Sequence, residues 1–263
     1  MGLTGQGGAW VHRILKTPMR SAVESQPIPS ASLILLRDGA EGLELFMIRR
    51  NAALRFAAGA TVFPGGRVDP EDGTGAPGDD RPLRRAAIRE AFEECGILLA
   101  HGAVDAAMLD ALRAPSPVPL AERLRLAGLE PAIAPLAPFA RWITPEGVWR
   151  RFDTTFFLAP APAGQVAAVD GGEAVAGFWG APAAILREAE AGRLSLVFAT
   201  RMNLLRLSGC GSVAEALAAA ARHQPLAPIL PRRIDGPGGA VFRIPDGVGY
   251  SVTELAASDV RLG

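Results

Sequence analysis

The stretch from Phe63 to Ile97 constrains this chain more than any other. It opens with the turn Phe63-Pro64-Gly65-Gly66 and closes with Arg89-Glu90-Ala91-Phe92-Glu93-Glu94-Cys95-Gly96-Ile97. Ala87, Ile88, Ala91 and Phe92 recur at helical spacing, Pro82 suits a first turn, and Gly96 can adopt the left-handed conformation that stops a helix. An amphipathic helix from about Pro82 to Gly96 is the expectation. Its acids sit where a helix tolerates them least. Glu90, Glu93 and Glu94 fall in the last two turns, at the negative end of the macrodipole. Glu90 and Glu94 also repel each other at i, i+4, a cost of about 0.2–0.5 kcal/mol. A helix selected for stability alone would carry cations there. Three clustered carboxylates suit a hard divalent cation such as Mg²⁺ or Mn²⁺. On the residues alone, the solvated face of an exposed helix stays open as the other explanation.

As a whole, the stretch resembles the Nudix box: a glycine, five residues, an acid, seven residues, then Arg-Glu-apolar-x-Glu-Glu-x-Gly-apolar. Gly66 matches the glycine, and Arg89 through Ile97 match the second half, Ala91 being a weak apolar residue at its position. Two departures stand out. Asp72 replaces the usual Glu, and sixteen residues, Gly73 to Ile88, precede Arg89 instead of seven. The extra residues, Gly73 to Asp80, are turn formers, so they can bulge as a loop without disturbing turn or helix. The resemblance implies an α/β/α Nudix sandwich: a mixed sheet between helices, here with a helical insert and a C-terminal extension.

Upstream, Ala31 to Leu36 and Leu43 to Ile48 read as a hairpin about an Asp38-Gly39 turn, and Thr61-Val62-Phe63 as a short strand. Between them, the segment from Arg49 to Gly59 carries Arg49, Arg50 and Arg55. Guanidinium groups match phosphate oxygens bidentately, so this loop can hold a phosphorylated substrate; a solvated basic loop is the alternative. Arg55-x-x-x-Gly59-x-x-x-Phe63-Pro64-Gly65-Gly66 is similar to the signature ahead of the box in Nudix coenzyme A diphosphatases. Arg50 matches an arginine in the earlier part of that signature, from which Phe46, Met47, Ile48 and Asn51 depart. The long insert in the box is similar to the mammalian peroxisomal acyl-CoA diphosphatase group.

Downstream, Val104 to Leu112 and Leu120 to Leu126 have helical spacing, broken by Pro115, Pro117 and Pro119. This insert, about residues 101–139, reads as a lid, a homodimer contact or a decorative hairpin. Two strands follow, at Ala140 to Pro145 and Asp153 to Ala159, the second rich in β-formers. Asp170-Gly171-Gly172-Glu173 turns into a strand from Ala174 to Trp179, and helices follow at Pro182 to Ala191, Phe198 to Leu207 and Val213 to Arg222. The tail from Gln224 is rich in Pro and Gly, with an edge strand expected in it. The organisation expected is an arm over 1–30, a Nudix domain over 31–191 and an extension over 192–263.

Composition narrows the partners. The 263 residues balance 27 basic against 27 acidic side chains, with Lys16 the only lysine. A neutral chain argues against bulk nucleic-acid or anionic-membrane binding. Two cysteines and three scattered histidines make neither a disulfide framework nor a zinc site. No apolar run reaches a membrane span and no signal segment opens the chain, so a cytoplasmic setting is expected.

The resemblance implies metal-dependent hydrolysis of a diphosphate linkage in a nucleoside-diphosphate derivative. CoA or acyl-CoA is the expected substrate, giving 3′,5′-ADP and (acyl-)4′-phosphopantetheine. Glu90, Glu93 and Glu94 would hold Mg²⁺ or Mn²⁺. Arg89, one turn before Glu93, would fix the carboxylates, so Arg89, Glu93 and Glu94 form the catalytic group, with Glu173 a candidate assistant or a plain turn carboxylate. Arg50, Arg55, Gly59, Gly65 and Gly66 are the substrate-binding candidates. A Nudix pyrophosphatase for ADP-ribose or NADH, and a non-catalytic Nudix-fold binding module, are the alternatives.

Overall fold

A computed structural model of the chain describes residues 26–148 and 150–262. Most of the expected N-terminal arm, residues 1–25, lies outside the described residues. The first strand, β1 (Ile28–Gly39), already begins at Ile28 and pairs with β2 (Gly42–Arg50) as a hairpin. Asp38 and Gly39 are paired strand residues opposite Leu43 and Gly42, so the turn is Ala40-Glu41, one pair beyond the expected Asp38-Gly39. Gly42, at φ 114°, supplies the conformation that closes it.

β3 (Thr61–Val62) and β4 (Gly65–Arg67) follow, then a short turn of 3₁₀ helix over Pro70–Asp72 and α1 (Arg81–Cys95). Gly96 ends α1 with φ 68°, its N–H on Phe92 O at 2.8 Å. The carbonyls left over at that end find partners too: Ala168 N–H donates to Cys95 O, and Arg113 donates to Gly96 O, both at 2.8 Å. The insert is a two-residue ribbon, β5 (Ala100–His101), enclosing α2 (Ala106–Arg113) and α3 (Leu120–Leu126) and closing with β6 (Glu130–Pro131). Helix α2 starts two residues later than the spacing predicts, because the Asp105 carboxylate accepts from Met108 N–H as an N-cap.

β7 (Ala137–Ile143), β8 (Phe152–Pro160) and β9 (Ala174–Gly180) complete the strands before α4 (Pro182–Glu190), α5 (Phe198–Leu207) and α6 (Val213–Ala221). The tail adds β10 (Pro228–Ile229), the expected edge strand, beside β7. A separate three-stranded sheet follows from β11 (Arg232–Gly236), β12 (Gly239–Arg243) and β13 (Glu254–Ala256).

The main sheet is mixed. It runs β10-β7-β8-β1-β2-β3, with β1/β8 and β10/β7 parallel, β4 added to β1 and β9 to β2. One edge of β1 pairs with β8 from Ile28 to Leu36, while the other divides: Ser30–Ser32 pair with β4 and Leu36–Gly39 with β2. β2 peels away and pairs with β3 at Ile48 and Arg49 instead. The turn Phe63-Pro64 is thus wedged into a split in the sheet, fixed by Leu33 N–H on Pro64 O at 2.9 Å.

Side-chain alternation then builds the layers. Ala31, Leu33 and Leu35 face one side, with Ala87, Ile88, Ala91 and Phe92 of α1 and the buried leucines of the insert. Ile34 and Leu36 face the other, with Ile185, Met202, Leu204 and Ala216 from α4, α5 and α6. This is the expected α/β/α sandwich. Among the described residues no helix is long and apolar enough to cross a membrane.

Candidate active site

The site forms where α1 ends against the split. Gly66 stands so close to α1 that a Cβ there would lie 2.4 Å from a Glu90 carboxylate oxygen, and a Cβ on Gly65 would strike Ala31 O at 2.5 Å. Gly65 is needed for the turn to pass β1, whose backbone stands in the way, while a side chain at Gly66 would displace the Glu90 carboxylate. Gly65 N–H donates to Glu94 Oε2 at 2.8 Å, and Arg50 Nη1 to Glu94 Oε1 at 3.2 Å. Arg50 also reaches Glu173 at 3.7 Å, so one guanidinium from the end of β2 joins a carboxylate of α1 to one from the β9 turn.

Arg89 holds the other side. It is buried, and it donates to both oxygens of Asp72 at 3.1 and 2.9 Å, to Glu90 and Glu93 at 2.9 Å each, and to Arg67 O at 3.0 Å. Burial works against its charge, but the hydrogen bonds to Asp72 and the charges of Glu90, Asp72 and Glu93 outweigh this and raise its pKa. Arg89 pairs with Glu93 as the helical spacing predicts. The bidentate partner Asp72 was absent from the residues singled out for the site, although its place in the box pattern was the available signal.

Burial drives the acids upward. Glu90 is pushed to a pKa of about 7, with Arg89 opposing and Glu93 and Glu173 adding to the shift. Glu94 is pushed to about 8, against the opposing Gly65 N–H, with Glu90 adding to the rise and Arg50 opposing it. Glu93 rises as well, by burial, and its side chain is 43% exposed. The arrangement therefore collects negative charge in a place with too little solvent or cationic compensation.

Glu173 is 62% exposed, and its backbone is held tightly. Asp170 accepts from the N–H groups of Gly172, Glu173 and Ala174 at 2.7–2.9 Å. Asn51 clamps the same turn, donating its side chain to Gly172 O and its N–H to Glu173 O. Asp170 and Asn51 are a second omission from the sequence reading; the Asp-Gly-Gly turn was the visible clue for Asp170. Arg50, Gly65, Gly66, Arg89, Glu90, Glu93, Glu94 and Glu173 come together. Arg55 and Gly59 do not join them. Arg55 is exposed on the loop with no ion-pair partner among the described residues, and Gly59, at φ 68°, shapes that loop's turn.

Among the described residues no three acidic, His or Cys side chains already stand as a closed ligand set. The donors present still fit Mg²⁺ or Mn²⁺. They are hard carboxylate oxygens, Glu90 and Glu94 lie side by side, and Mg²⁺ commonly binds through one or two carboxylates plus water and substrate phosphate.

Fold and site together resemble those of the Nudix hydrolases. Residues 27–116 match the NUDIX domain family, a span that holds every residue of the site except Glu173 and the Asp170 that holds its turn. The chain resembles the coenzyme A diphosphatase branch of that class. It is 46% identical over 66 residues to the peroxisomal coenzyme A diphosphatase ndx-8 of Caenorhabditis elegans, and 39% identical over 75 residues to a probable nudix hydrolase of Schizosaccharomyces pombe. These matches span 25% and 28% of this chain, and 25% and 24% of the two relatives. The crystal structure of a NUDIX hydrolase from Alicyclobacillus acidocaldarius matches more widely, at 28% identity and a TM-score of 0.65, covering 74% of this chain and 96% of that one.

Proposed function

We propose that the chain hydrolyses a diphosphate linkage in a nucleoside-diphosphate derivative, with CoA or an acyl-CoA as substrate and Mg²⁺ or Mn²⁺ as cofactor. The observation that carries this is the convergence of Glu90, Glu94, Glu173 and Arg50 on the Gly65-Gly66 turn. A substrate with two linked phosphates and a divalent cation supplies the charge balance this cluster lacks. The similarity of the matched stretch to a CoA diphosphatase supports the choice of substrate.

When bound by Glu90, Glu93 and Glu94, the cation would neutralise charge on the diphosphate and lower the pKa of a water. The chain's own groups do the rest. Arg89 holds Glu90 and Glu93 in one orientation through its fork of hydrogen bonds, a positioning task. Arg50, paired here with Glu94 and Glu173, is the candidate to meet a phosphate oxygen near Glu94, and Gly65 and Gly66 let the turn press close against Glu90 and β1. Glu173, held at the rim, is the candidate assistant for proton transfer. Arg55, free on the neighbouring loop, offers a second charge-assisted contact worth about 1.5–3 kcal/mol, so Arg55→Ala should lower kcat/KM for CoA by roughly 10- to 150-fold.

A hydrolysis screen with Mg²⁺ or Mn²⁺ against CoA, acyl-CoAs, ADP-ribose and NADH, with products identified by mass, tests the reading. Release of 3′,5′-ADP from CoA is expected. Turnover confined to ADP-ribose or NADH would replace the substrate, and no turnover of any diphosphate would favour a binding module.

A further inference from the structure

The C-terminal sheet β11-β12-β13 is separate from the main sheet, and β11 forms its edge: among the described residues β12 is its one strand partner. Every residue of β11, Arg232-Arg233-Ile234-Asp235-Gly236, is exposed. Pro231 and Pro237 bracket the strand, and neither carries an N–H, so pairing on this edge stops at its ends. An open edge of this kind presents unpaired donors and acceptors to another strand.

The register of the small sheet fixes which groups those are. Ile244 N–H donates to Thr253 O, so Ile244 and, by alternation, Phe242 turn their backbone groups toward β13. Val241 and Arg243 then turn theirs toward β11, where they lie opposite Ile234 and Arg232. The N–H and C=O groups of Arg233 and Asp235 are left pointing out from the edge. Their side chains share one face of the strand and pair with each other at 3.0 Å, while Ile234, 39% exposed, lies on the other face.

A second β11 laid antiparallel along this edge can reach those outward groups. Registers that set Arg233 against Arg233, or Asp235 against Asp235, bring like charges directly opposite and are disfavoured. The register centred on Ile234 sets each Arg233 opposite the other copy's Asp235, each such pair exchanging both backbone hydrogen bonds, and brings the two Ile234 side chains together. We infer that β11 is a dimerisation edge, the occupant being the β11 of a second copy of this chain, related by a two-fold axis at Ile234. The order basic, apolar, acidic is self-complementary, as an isologous contact requires, and the pairing closes on itself without leaving a β11 edge for a third copy. This inference is independent of the proposed reaction. A five-residue strand pair is smaller than a standard interface, so the dimer dissociates on dilution.

Sedimentation velocity of the full chain from about 1 to 100 µM tests this, and should show a monomer–dimer equilibrium that weakens with added salt. Asp235→Arg or Arg233→Asp, each of which makes the edge single-signed, should raise the dimer Kd at least about tenfold. The exchange variant Arg233→Asp/Asp235→Arg restores opposite charges in the same register and should return Kd to within about threefold of wild type. In a Cys210→Ser background, Ile234→Cys should crosslink to its own copy on oxidation, because directly opposite residues that share no hydrogen bond stand closest; Arg232→Cys, which lies opposite Gly236, should not. A monomer across the whole range overturns the inference. So does a dimer indifferent to the single charge reversals, an exchange variant that stays monomeric, or crosslinking of Ile234→Cys no greater than that of Arg232→Cys. Melting temperatures check that each variant is folded, and if a charge variant is not, the cysteine pair decides.

Discussion

Glu94, proposed as a metal ligand, is buried in a way that sets its charge against the fold. Its pKa rises from 4.5 to about 8 by burial, so the folded state binds its proton more tightly than the unfolded chain does. Stability linked to it is therefore full below about pH 4.5 and drains away as pH rises toward 8. Glu90, pushed to about 7, acts in the same direction. Metal-free protein should melt at progressively lower temperature from about pH 5 to pH 8, and Glu94→Gln should flatten that slope while abolishing turnover. An unchanged slope in a thermal scan, or wild-type turnover at saturating metal, would remove Glu94 from the site. Asp72 behaves differently because it satisfies a buried cation. Removing it leaves Arg89 without its bidentate partner, and although Glu90 and Glu93 remain, Asp72→Ala should cost about 3–5 kcal/mol in urea unfolding.

Helix α1 is defined by local signals at both ends, with Pro82 inside the first turn and Gly96 left-handed at the last. The segment ahead of it is held independently of its length. Asp72 is fixed by Arg89 and by Arg85 Nη1 on its carbonyl at 3.2 Å, while Asp79 and Arg81 pair with each other in the exposed loop between. Replacing residues 74–79 by a shorter Gly/Ser link should leave kcat within about threefold, since surface loops tolerate length changes that spare their anchors. A larger loss, measured beside an unchanged melting temperature, would show that the loop touches substrate. The insert helices α2 and α3 bury Leu109, Leu112, Leu120 and Leu124 in the same core as α1, and their placement there accounts for those leucines.

At the scale of the whole molecule, the proposed cation site would couple binding to folding. A cation bound only by the folded state stabilises by mass action, about 2.7 kcal/mol at a hundred times its Kd. For a domain of this size each kcal/mol shifts Tm by roughly 2–4 °C. Added Mg²⁺ or Mn²⁺ should therefore raise Tm measurably in wild type and not in a Glu90→Gln/Glu94→Gln double variant. An equal shift in both would place the cation elsewhere.

Much of this was legible in the sequence because it is local. The span of α1, its glycine stop, the misplaced acids and the alternating strands follow from backbone preferences and side-chain periodicity over a few residues. The pairing of Arg89 with Glu93 belongs here too, being a matter of helical spacing alone. What the tertiary structure decided lies between segments far apart in the chain. Arg50 meets Glu94 because β2 peels from β1 and admits the glycine turn between them, and Glu173 arrives because β9 pairs with the far edge of β2. Arg55, only five residues from Arg50, is left outside because β2 ends at Arg50 and the loop carries the next residues to the surface. The tail's Leu262 lines one cavity with Phe56, and Arg261 beside it donates to Ala58 O, some two hundred residues away in the chain. Local propensity has no term for such meetings; strand order and sheet twist set them.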